Sequence, residues 1–299
     1  MSARRPAGDR SAAPVTAIVS PLPAELAAVR AATAVERTAT ARGSGLGRGL
    51  DLAFGRLGGA PVVLAATGDG ARSAAHGLAA LLDATAVGRL LVLGVAGGLT
   101  PGLAPGDLVA ARRTVVAGEG AREGSPETAG DPGWLAAAVA CGAVAGMAVT
   151  SSRILITPAE KRAALDALAA RGAAGRGASR WDGPATVDLV SAVYARLAAA
   201  RGIPFLVVRA VIDAADEELP LDFNRCRRED GGVDEARVVR MALWKPQVWG
   251  TLAELRRRLR RAALGLARLT VRLVEAGAAG AAAAADAAPA AGAAAGRGR

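Results

Sequence analysis

Apolar residues along the chain fall into short continuous runs that alternate with longer segments of helical period. The short runs are rich in Val, Leu and Ile, and they end at Gly or polar residues, which is typical of buried strands. They cover residues 15–20, 61–67, 89–98, 107–116 and 203–213. The last run, IPFLVVRAVID, is almost wholly apolar, which predicts a strand buried on both faces.

The segments between these strands predict helices. Helical patterns cover residues 71–84, 157–172 and 187–202, and a further helix contains Glu25. One of them begins with a full capping signal, with Thr157 at the N-cap, Pro158 at the first helical position and Glu160 two positions later. Alternating strands and helices predict an α/β fold in which helices cover a sheet. Ligands in such folds bind beyond the carboxyl ends of the strands.

Composition separates one body from two tails. Residues 1–13 are polar, and residues 277–299 are a low-complexity stretch of Ala and Gly, so both are expected to be disordered. A single domain is therefore predicted over residues 14–276. The start of the chain lacks the apolar region of a signal peptide, and no run is apolar enough to span a bilayer, which predicts a cytoplasmic protein.

The scarcity of some residue types excludes several chemistries. His76 is the only histidine, which argues against His-rich metal sites and paired-histidine catalysis. Cys141 and Cys226 are far apart and form no CxxC motif, so we expect neither a metal site nor a disulfide framework. The net charge of +10 comes from arginine, because Lys161 and Lys245 are the only lysines.

The residues that follow the predicted strands are the candidates for chemistry. Glu25 follows the first strand, TGDG follows the second and GVAGG ends the third. The glycines allow a ligand to approach the backbone, although plain tight turns would look the same. The fourth strand end carries Arg209, Asp213 and Asp216, and a carboxylate desolvated there becomes a usable acid. A helix cap or a surface acid is the simpler interpretation of Asp213.

Two long segments carry these motifs in a fixed order. They are VVLAATGDGARSAAHGLAALLDATAVGRLLVLGVAGGLTPGLAPGDLVAA (62–111) and TVDLVSAVYARLAAARGIPFLVVRAVIDAADEELPLDF (186–223). Together they resemble the nucleoside phosphorylase and nucleosidase superfamily, nearest the methylthioadenosine/S-adenosylhomocysteine nucleosidases. The resemblance implies a three-layer α/β/α fold with a mixed central sheet and no cofactor, with phosphate as a co-substrate only in a phosphorylase. Residues 218–258 resemble the hopanoid-associated phosphorylases, a bacterial group thought to remove adenine from adenosylhopane in bacteriohopanepolyol synthesis.

The resemblance also implies roles for individual residues. Glu25 matches the glutamate that activates water, and Asp213 matches the aspartate that protonates the purine at N7. The implied substrate-binding positions are Gly68, Val95, Ala96, Gly97, Ile154, Leu155, Leu189, Val190, Arg209 and Phe223. Among them, Ile154 and Leu155 match the segment that packs on the base and offers it backbone hydrogen bonds.

Val190 departs from the family pattern. It occupies the position of a glutamate that grips the ribose 2′ and 3′ hydroxyls, and a valine cannot accept those hydrogen bonds. Asp188, two residues earlier, is expected to point elsewhere on a helix. The departure leaves open a remodelled protein that binds a ligand without catalysis.

The nucleophile is expected to be water. Nucleoside phosphorylases carry a GDPxR-type anion site after the first strand, whereas this chain reads SPLPAEL there. Arg72, beside the TGDG turn, is the residue that would favour phosphorolysis instead. The function inferred from the resemblance is cleavage of the N-glycosidic bond of an adenosyl compound, with adenosylhopane as the expected substrate. A methylthioadenosine/S-adenosylhomocysteine nucleosidase and a purine nucleoside phosphorylase are the alternatives.

The segment from Thr251 predicts an amphipathic helix with a basic face. Its apolar stripe consists of Leu252, Leu255, Leu259, Ala262, Leu266, Leu269 and Leu273. Its arginines lie largely off that stripe, which suits a helix packed on the body or on a second subunit. The basic face of helix 251–275 could also contact an anionic membrane peripherally. No nucleic-acid partner is expected, because aromatic stacking platforms are missing nearby. A homo-oligomer is implied by the resemblance alone.

Overall fold

The computed structural model describes residues 14–43, 45–47, 49–117, 127–173, 183–228 and 232–286. The strands in these ranges are β1 (Val15–Ser20), β2 (Ala34–Ala41), β3 (Leu50–Leu57), β4 (Ala60–Ala66), β5 (Val87–Gly98), β6 (Leu108–Val116), β7 (Thr128–Ala129), β8 (Val144–Thr150), β9 (Ala185–Asp188) and β10 (Phe205–Asp213). The helices are α1 (Pro23–Ala32), α2 (Ala71–Ala84), α3 (Pro132–Ala140), α4 (Pro158–Ala173), α5 (Ser191–Ala200), α6 (Glu235–Leu243) and α7 (Trp249–Asp286). A short 3-10 turn covers Phe223–Cys226. The predicted tail 1–13 lies outside the described residues.

The strands form one mixed sheet with β5 at its centre. β5 pairs in parallel with β1 on one side and with β10 on the other. Beyond β1, the sheet continues through β4, β3 and β2. Beyond β10, it continues through β6, β8 and β9, and β9 pairs back onto the end of β5. One half of the sheet is therefore closed into a ring, and the carboxyl ends of β1, β5 and β10 lie side by side.

Helices cover both faces of the sheet. Because side chains in successive strand positions point to opposite faces, each central strand contributes to the core on both sides. In β10, Phe205 and Val207 join one core cluster, in which Leu78 of α2 and Tyr194 of α5 are also buried. Leu206 and Val208 join the other cluster together with residues of α1, α3 and α7. The predicted three-layer α/β/α fold with a mixed central sheet is confirmed.

The helix α7 packs on this second face. Ala262, Leu266, Leu269 and Leu273 are buried there, so this part of the predicted apolar stripe contacts the body. The helix continues past Ala276 to Asp286, into the range for which composition predicts a disordered tail. Among the described helices, none has the length and apolar character needed to cross a membrane.

One predicted element boundary is wrong. The helix expected over residues 187–202 starts only at Ser191, and the residues before it form the short strand β9. Asp188 is therefore the last residue of a strand and does not lie on a helix. This changes where its side chain points, as described below.

Candidate active site

Glu25 is a buried carboxylate in the first turn of α1. Only 5% of the residue is exposed, and both of its oxygens accept peptide N–H groups. Val95 N–H donates to Oε1 at 2.9 Å, and Leu22 N–H donates to Oε2 at 3.1 Å. Burial raises the pKa of Glu25, while these hydrogen bonds and the charge of Arg209 oppose the rise. A carboxylate with a raised pKa is suited to proton transfer near neutral pH.

Arg209 lies beneath this carboxylate on the same side of the sheet as α5. It is 1% exposed, and its Nε lies 2.9 Å from Asp188 Oδ2 and donates to Ser191 Oγ at 2.9 Å. Its Nη1 donates to Leu93 O at 3.2 Å, while its Nη2 has no partner among the described residues. Arg209 sits opposite Gly94 in the register, and a Cβ at Gly94 would lie 2.0 Å from Nη1. The glycine therefore makes room for the guanidinium.

Asp188 and Val190 have environments different from those expected. The Asp188 carboxylate contacts Arg209 and also accepts the N–H groups of Val190 and Ser191, each at 2.7 Å. The expectation that Asp188 lies on a helix is thus wrong, and its side chain points to Arg209. The Val190 side chain is 2% exposed and belongs to the core cluster beneath α2 and α5, and Leu189 packs partly against the same cluster.

Asp213 ends β10 and forms a buried ion pair with Lys161. The Lys161 Nζ donates to Asp213 Oδ2 at 2.5 Å, and the two side chains are 1% and 7% exposed. Burial raises the pKa of Asp213, and the hydrogen bond and charge of Lys161 oppose the rise. Lys161 was not among the site residues predicted from the sequence. Its rarity was a usable signal, because a lysine retained in a chain dominated by arginine indicates a need for a compact ammonium group.

The carboxylates of Glu25 and Asp213 both lie at the end of β5. Glu25 is bound to the peptide of Val95, and Asp213 lies opposite Gly97 in the strand register. A Cβ at Gly97 would lie 3.0 Å from Asp213 Oδ2, so the absence of a side chain makes space for the carboxylate. Ala96, between them, is buried. The predicted positions Val95, Ala96 and Gly97 at the end of β5 are therefore adjacent to both candidate catalytic groups.

The loop after β8 carries the residues expected to face the base. The Asn224 side chain holds Ile154 in both directions: Ile154 N–H donates to Oδ1 at 2.9 Å, and Nδ2 donates to Ile154 O at 2.8 Å. By contrast, the peptide N–H and C=O of Leu155 have no hydrogen-bond partner among the described residues. Phe223, next to Asn224, is half-buried in the 3-10 turn.

The end of β4 lies against the end of β1. Gly68 N–H donates to Pro21 O at 3.0 Å, and Thr67 N–H donates to Ser20 O at 2.9 Å. The Thr67 hydroxyl also pairs at 2.5 Å with the hydroxyl of Tyr194, which is fully buried on α5. Gly68 is thus placed beside the turn that leads to the Glu25 helix.

Solved structures similar to this chain include several nucleosidases. A 5′-methylthioadenosine/S-adenosylhomocysteine nucleosidase from Neisseria meningitidis, in complex with methylthio-immucillin-A, is 21% identical with a TM-score of 0.60, covering 88% of this chain and 99% of that one. A nucleosidase of the same specificity from Streptococcus pneumoniae, with 8-aminoadenine, is 18% identical with a TM-score of 0.61, covering 88% and 99%. The corresponding Colwellia psychrerythraea enzyme, in complex with adenine, is 18% identical with a TM-score of 0.61, covering 87% and 93%. At these identities the similarity establishes the fold.

Family membership rests on the sequence itself. No curated protein matches the chain significantly. The family model of the phosphorylase superfamily matches residues 15–242, which span the sheet, both candidate carboxylates and Lys161. The chain therefore belongs to the phosphorylase superfamily.

Proposed function

We propose that the protein cleaves the N-glycosidic bond of an adenosyl compound and releases adenine. The observation that carries this proposal is the pair of buried carboxylates, Glu25 and Asp213, held at neighbouring positions of β5. Family membership and the adenine-type ligands of the similar structures support it.

The two carboxylates have complementary parts in the proposed reaction. Glu25, ionised, removes a proton from a water molecule whose oxygen forms a bond to the anomeric carbon. The electrons of the breaking C–N bond pass to the purine, and Asp213, protonated, supplies the proton that makes adenine a neutral leaving group. Each such group typically contributes about 10²–10⁴-fold to the rate. Burial raises the pKa of both carboxyl groups, which brings each closer to the pH range in which a general acid or base works.

Water is the favoured nucleophile, because residues 20–25, which follow β1, include no cationic side chain. The turn from Ser20 to Glu25 is fixed by its own groups, with Ser20 Oγ donating to Leu22 O at 2.7 Å. Arg72 is exposed at the start of α2. A phosphate ion is typically held by guanidinium groups together with clustered N–H donors, and residues 20–25 supply no guanidinium group.

The loop after β8 offers a way to recognise a purine edge. The N–H donor and C=O acceptor of Leu155 match the alternating acceptor and donor groups of the adenine edge. Because Asn224 holds the adjacent peptide of Ile154, the loop is fixed before a base arrives. Such preorganisation lowers the entropy cost of binding.

We propose adenosylhopane as the substrate, acted on at a membrane surface. The similarity of residues 218–258 to hopanoid-associated phosphorylases supports this choice. Arg256, Arg257, Arg260 and Arg261 are exposed on α7. The end of α6 and the start of α7 expose Leu243, Trp244 and Trp249, of which Trp244 is 82% exposed. Cationic and amphipathic aromatic side chains together are typical of surfaces that bind anionic bilayers.

Adenine release tests the catalytic proposal. The purified protein is incubated with methylthioadenosine, S-adenosylhomocysteine or vesicle-bound adenosylhopane, and free adenine is measured by chromatography. Release without phosphate identifies hydrolysis, and release only with phosphate identifies a phosphorylase. If the protein binds these compounds but releases no adenine, it is the remodelled binding protein that Val190 leaves open.

Vesicle sedimentation tests the membrane proposal. We expect binding to anionic vesicles at low salt and release at high salt, because each arginine near the surface contributes about 1 kcal/mol that salt screens. Changing Arg256, Arg257, Arg260 and Arg261 together to Gln should abolish binding. The matched control changes four exposed arginines elsewhere, Arg30, Arg42, Arg112 and Arg162, and removes the same charge. Equal loss in both variants would assign the effect to net charge and contradict a docking face.

A further inference from the structure

Lys161 is a buried lysine with every donor in use. It is 1% exposed, and its Nζ donates to Asp213 Oδ2 at 2.5 Å, Ala214 O at 2.5 Å and Glu217 O at 2.9 Å. An ammonium group has three N–H donors, so these contacts satisfy it completely. The lysine thus joins the candidate acid to the loop that follows it.

The helix that carries Lys161 is fixed at its first turn. Glu160 Oε2 accepts the N–H groups of Ile156 at 2.6 Å and Thr157 at 3.1 Å, and Thr157 Oγ1 accepts Glu160 N–H at 3.2 Å. This capping box confirms the helix start predicted from the sequence. Because the cap fixes the start of α4, the next residue, Lys161, has a defined direction into the protein.

The loop on the other side is fixed as well. Glu217 Oε2 accepts Ala214 N–H at 2.8 Å, and the Glu217 carboxylate is paired with Arg258 of α7 by two hydrogen bonds of 2.8 and 3.0 Å. The groups that face the pair of Asp213 and Lys161 are therefore Glu217 from the loop and Arg258 from α7. Both ends of the Lys161 contact are held rigidly.

A purely structural role is a poor explanation for this lysine. Burying an ion costs several kcal/mol, and apolar residues of similar volume often replace a buried pair with no loss of stability. Apolar residues at positions 161 and 213 together would fill the same space without that cost. The ammonium is therefore more readily explained by what its charge does to Asp213.

We propose that Lys161 is a positioning residue for Asp213, holding Oδ2 so that Oδ1 remains for the leaving base. This inference rests on the proposed role of Asp213 as the acid. A point charge in contact with one oxygen fixes the orientation of the carboxyl plane. It also stabilises the ionised form, so it works against the effect of burial.

The consequence is a defined change in the pH profile. If cleavage needs protonated Asp213, kcat/KM falls as pH rises through the pKa of that group. Removing the Lys161 charge raises the pKa of Asp213 further, because an adjacent opposite charge stabilises the ionised carboxylate. The falling limb should therefore move to higher pH.

The test measures pH profiles of adenine release for Lys161→Met and Lys161→Arg. The falling limb should move upwards in Lys161→Met, with lower kcat, and should stay near its normal pH in Lys161→Arg, which retains the charge. Lys245→Met is the matched control, since Lys245 is the other lysine and is exposed. Thermal unfolding checks that each variant is folded. If Lys161→Met does not fold, Lys161→Gln, which is neutral but keeps a hydrogen-bond donor, takes its place.

A second readout does not depend on turnover. The carboxyl carbon signal of Asp213, followed by NMR during a pH titration, should move to higher pH in Lys161→Met or Lys161→Gln. An unchanged Asp213 titration in a folded neutral variant would overturn the inference, even if activity were lost. A shifted titration in a protein that releases no adenine would instead refute the proposed function and leave the coupling of the two groups intact.

Discussion

Replacement of Glu25 by Gln tests the proposed base and has a cost that the structure defines. The side chain keeps its shape, but an amide NH₂ replaces one carboxylate oxygen. Both oxygens now accept peptide N–H groups, from Val95 at 2.9 Å and from Leu22 at 3.1 Å. One of these donors would face another donor, and an unsatisfied buried donor costs about 1–3 kcal/mol. We therefore expect both activity and stability to fall.

The stability loss should depend on pH, and its sign follows from the pKa of Glu25. Burial raises that pKa in the folded protein above its ordinary value. In the wild type, the contribution of Glu25 to the free energy of unfolding is therefore fully present below the ordinary pKa. It is lost as pH rises through the raised pKa of the folded protein. Glutamine stays neutral throughout. The difference between the two proteins should be largest in acid, where about 1–3 kcal/mol lowers Tm by roughly 2–12 °C.

Activity is measured as adenine release over a range of pH. Loss of a general base should lower kcat by about 10²–10⁴-fold, and the rising limb at acid pH should disappear. Glu36→Gln is the control, because that glutamate is exposed and makes only a surface ion pair with Arg56. A Glu25→Gln enzyme within a few-fold of wild type at neutral pH would refute the assignment of Glu25 as the base.

Three further substitutions examine the rest of the site. Asp213→Asn should lower adenine release by at least about 10²-fold and, because buried Lys161 loses its counter-charge, should cost about 3–5 kcal/mol in urea unfolding; wild-type turnover would contradict the role of the acid. Gly94→Ala places a Cβ 2.0 Å from Nη1 of Arg209, so overpacking should cost about 1–3 kcal/mol and lower kcat, and an unchanged Tm would show that the guanidinium moves freely. Val190→Glu puts a carboxylate into an apolar cluster, which should lower the free energy of unfolding by several kcal/mol; unchanged stability would show that residue 190 faces the ligand instead.

Much of the central sheet could be predicted because its strands are locally apolar. The predicted strand 15–20 and helix 71–84 have the bounds observed for β1 and α2. The hairpin of β2 and β3 was not predicted. All but one residue of AVERTATA (34–41) are exposed, so this edge strand lacks the apolar alternation that marks a half-buried strand. Edge strands are held by backbone pairing, which leaves little trace in a hydrophobic pattern.

The candidate site could be predicted in part for a similar reason. Glu25 and Asp213 follow strands directly, and the end of a strand is a local property of the sequence. Their partners are not local: Lys161 lies 52 residues from Asp213 along the chain, and Arg209 meets Asp188 only because β9 returns to the end of β5. Spacing along the chain does not determine such contacts. They follow from the strand pairing that closes this half of the sheet.

The closed half of the sheet also explains how the chain tolerates valine at position 190. A guanidinium that is 1% exposed needs a nearby counter-charge, and Asp188 at the end of β9 supplies it to Arg209. The same carboxylate also accepts bonds from the Val190 and Ser191 peptides and from the Ser191 hydroxyl. A carboxylate has about four acceptor positions, so Asp188 has little left to offer a sugar hydroxyl. The charge balance around Arg209 is thus maintained by Asp188. Within this network, the Nη2 donor of Arg209 is buried and has no hydrogen-bond partner among the described residues.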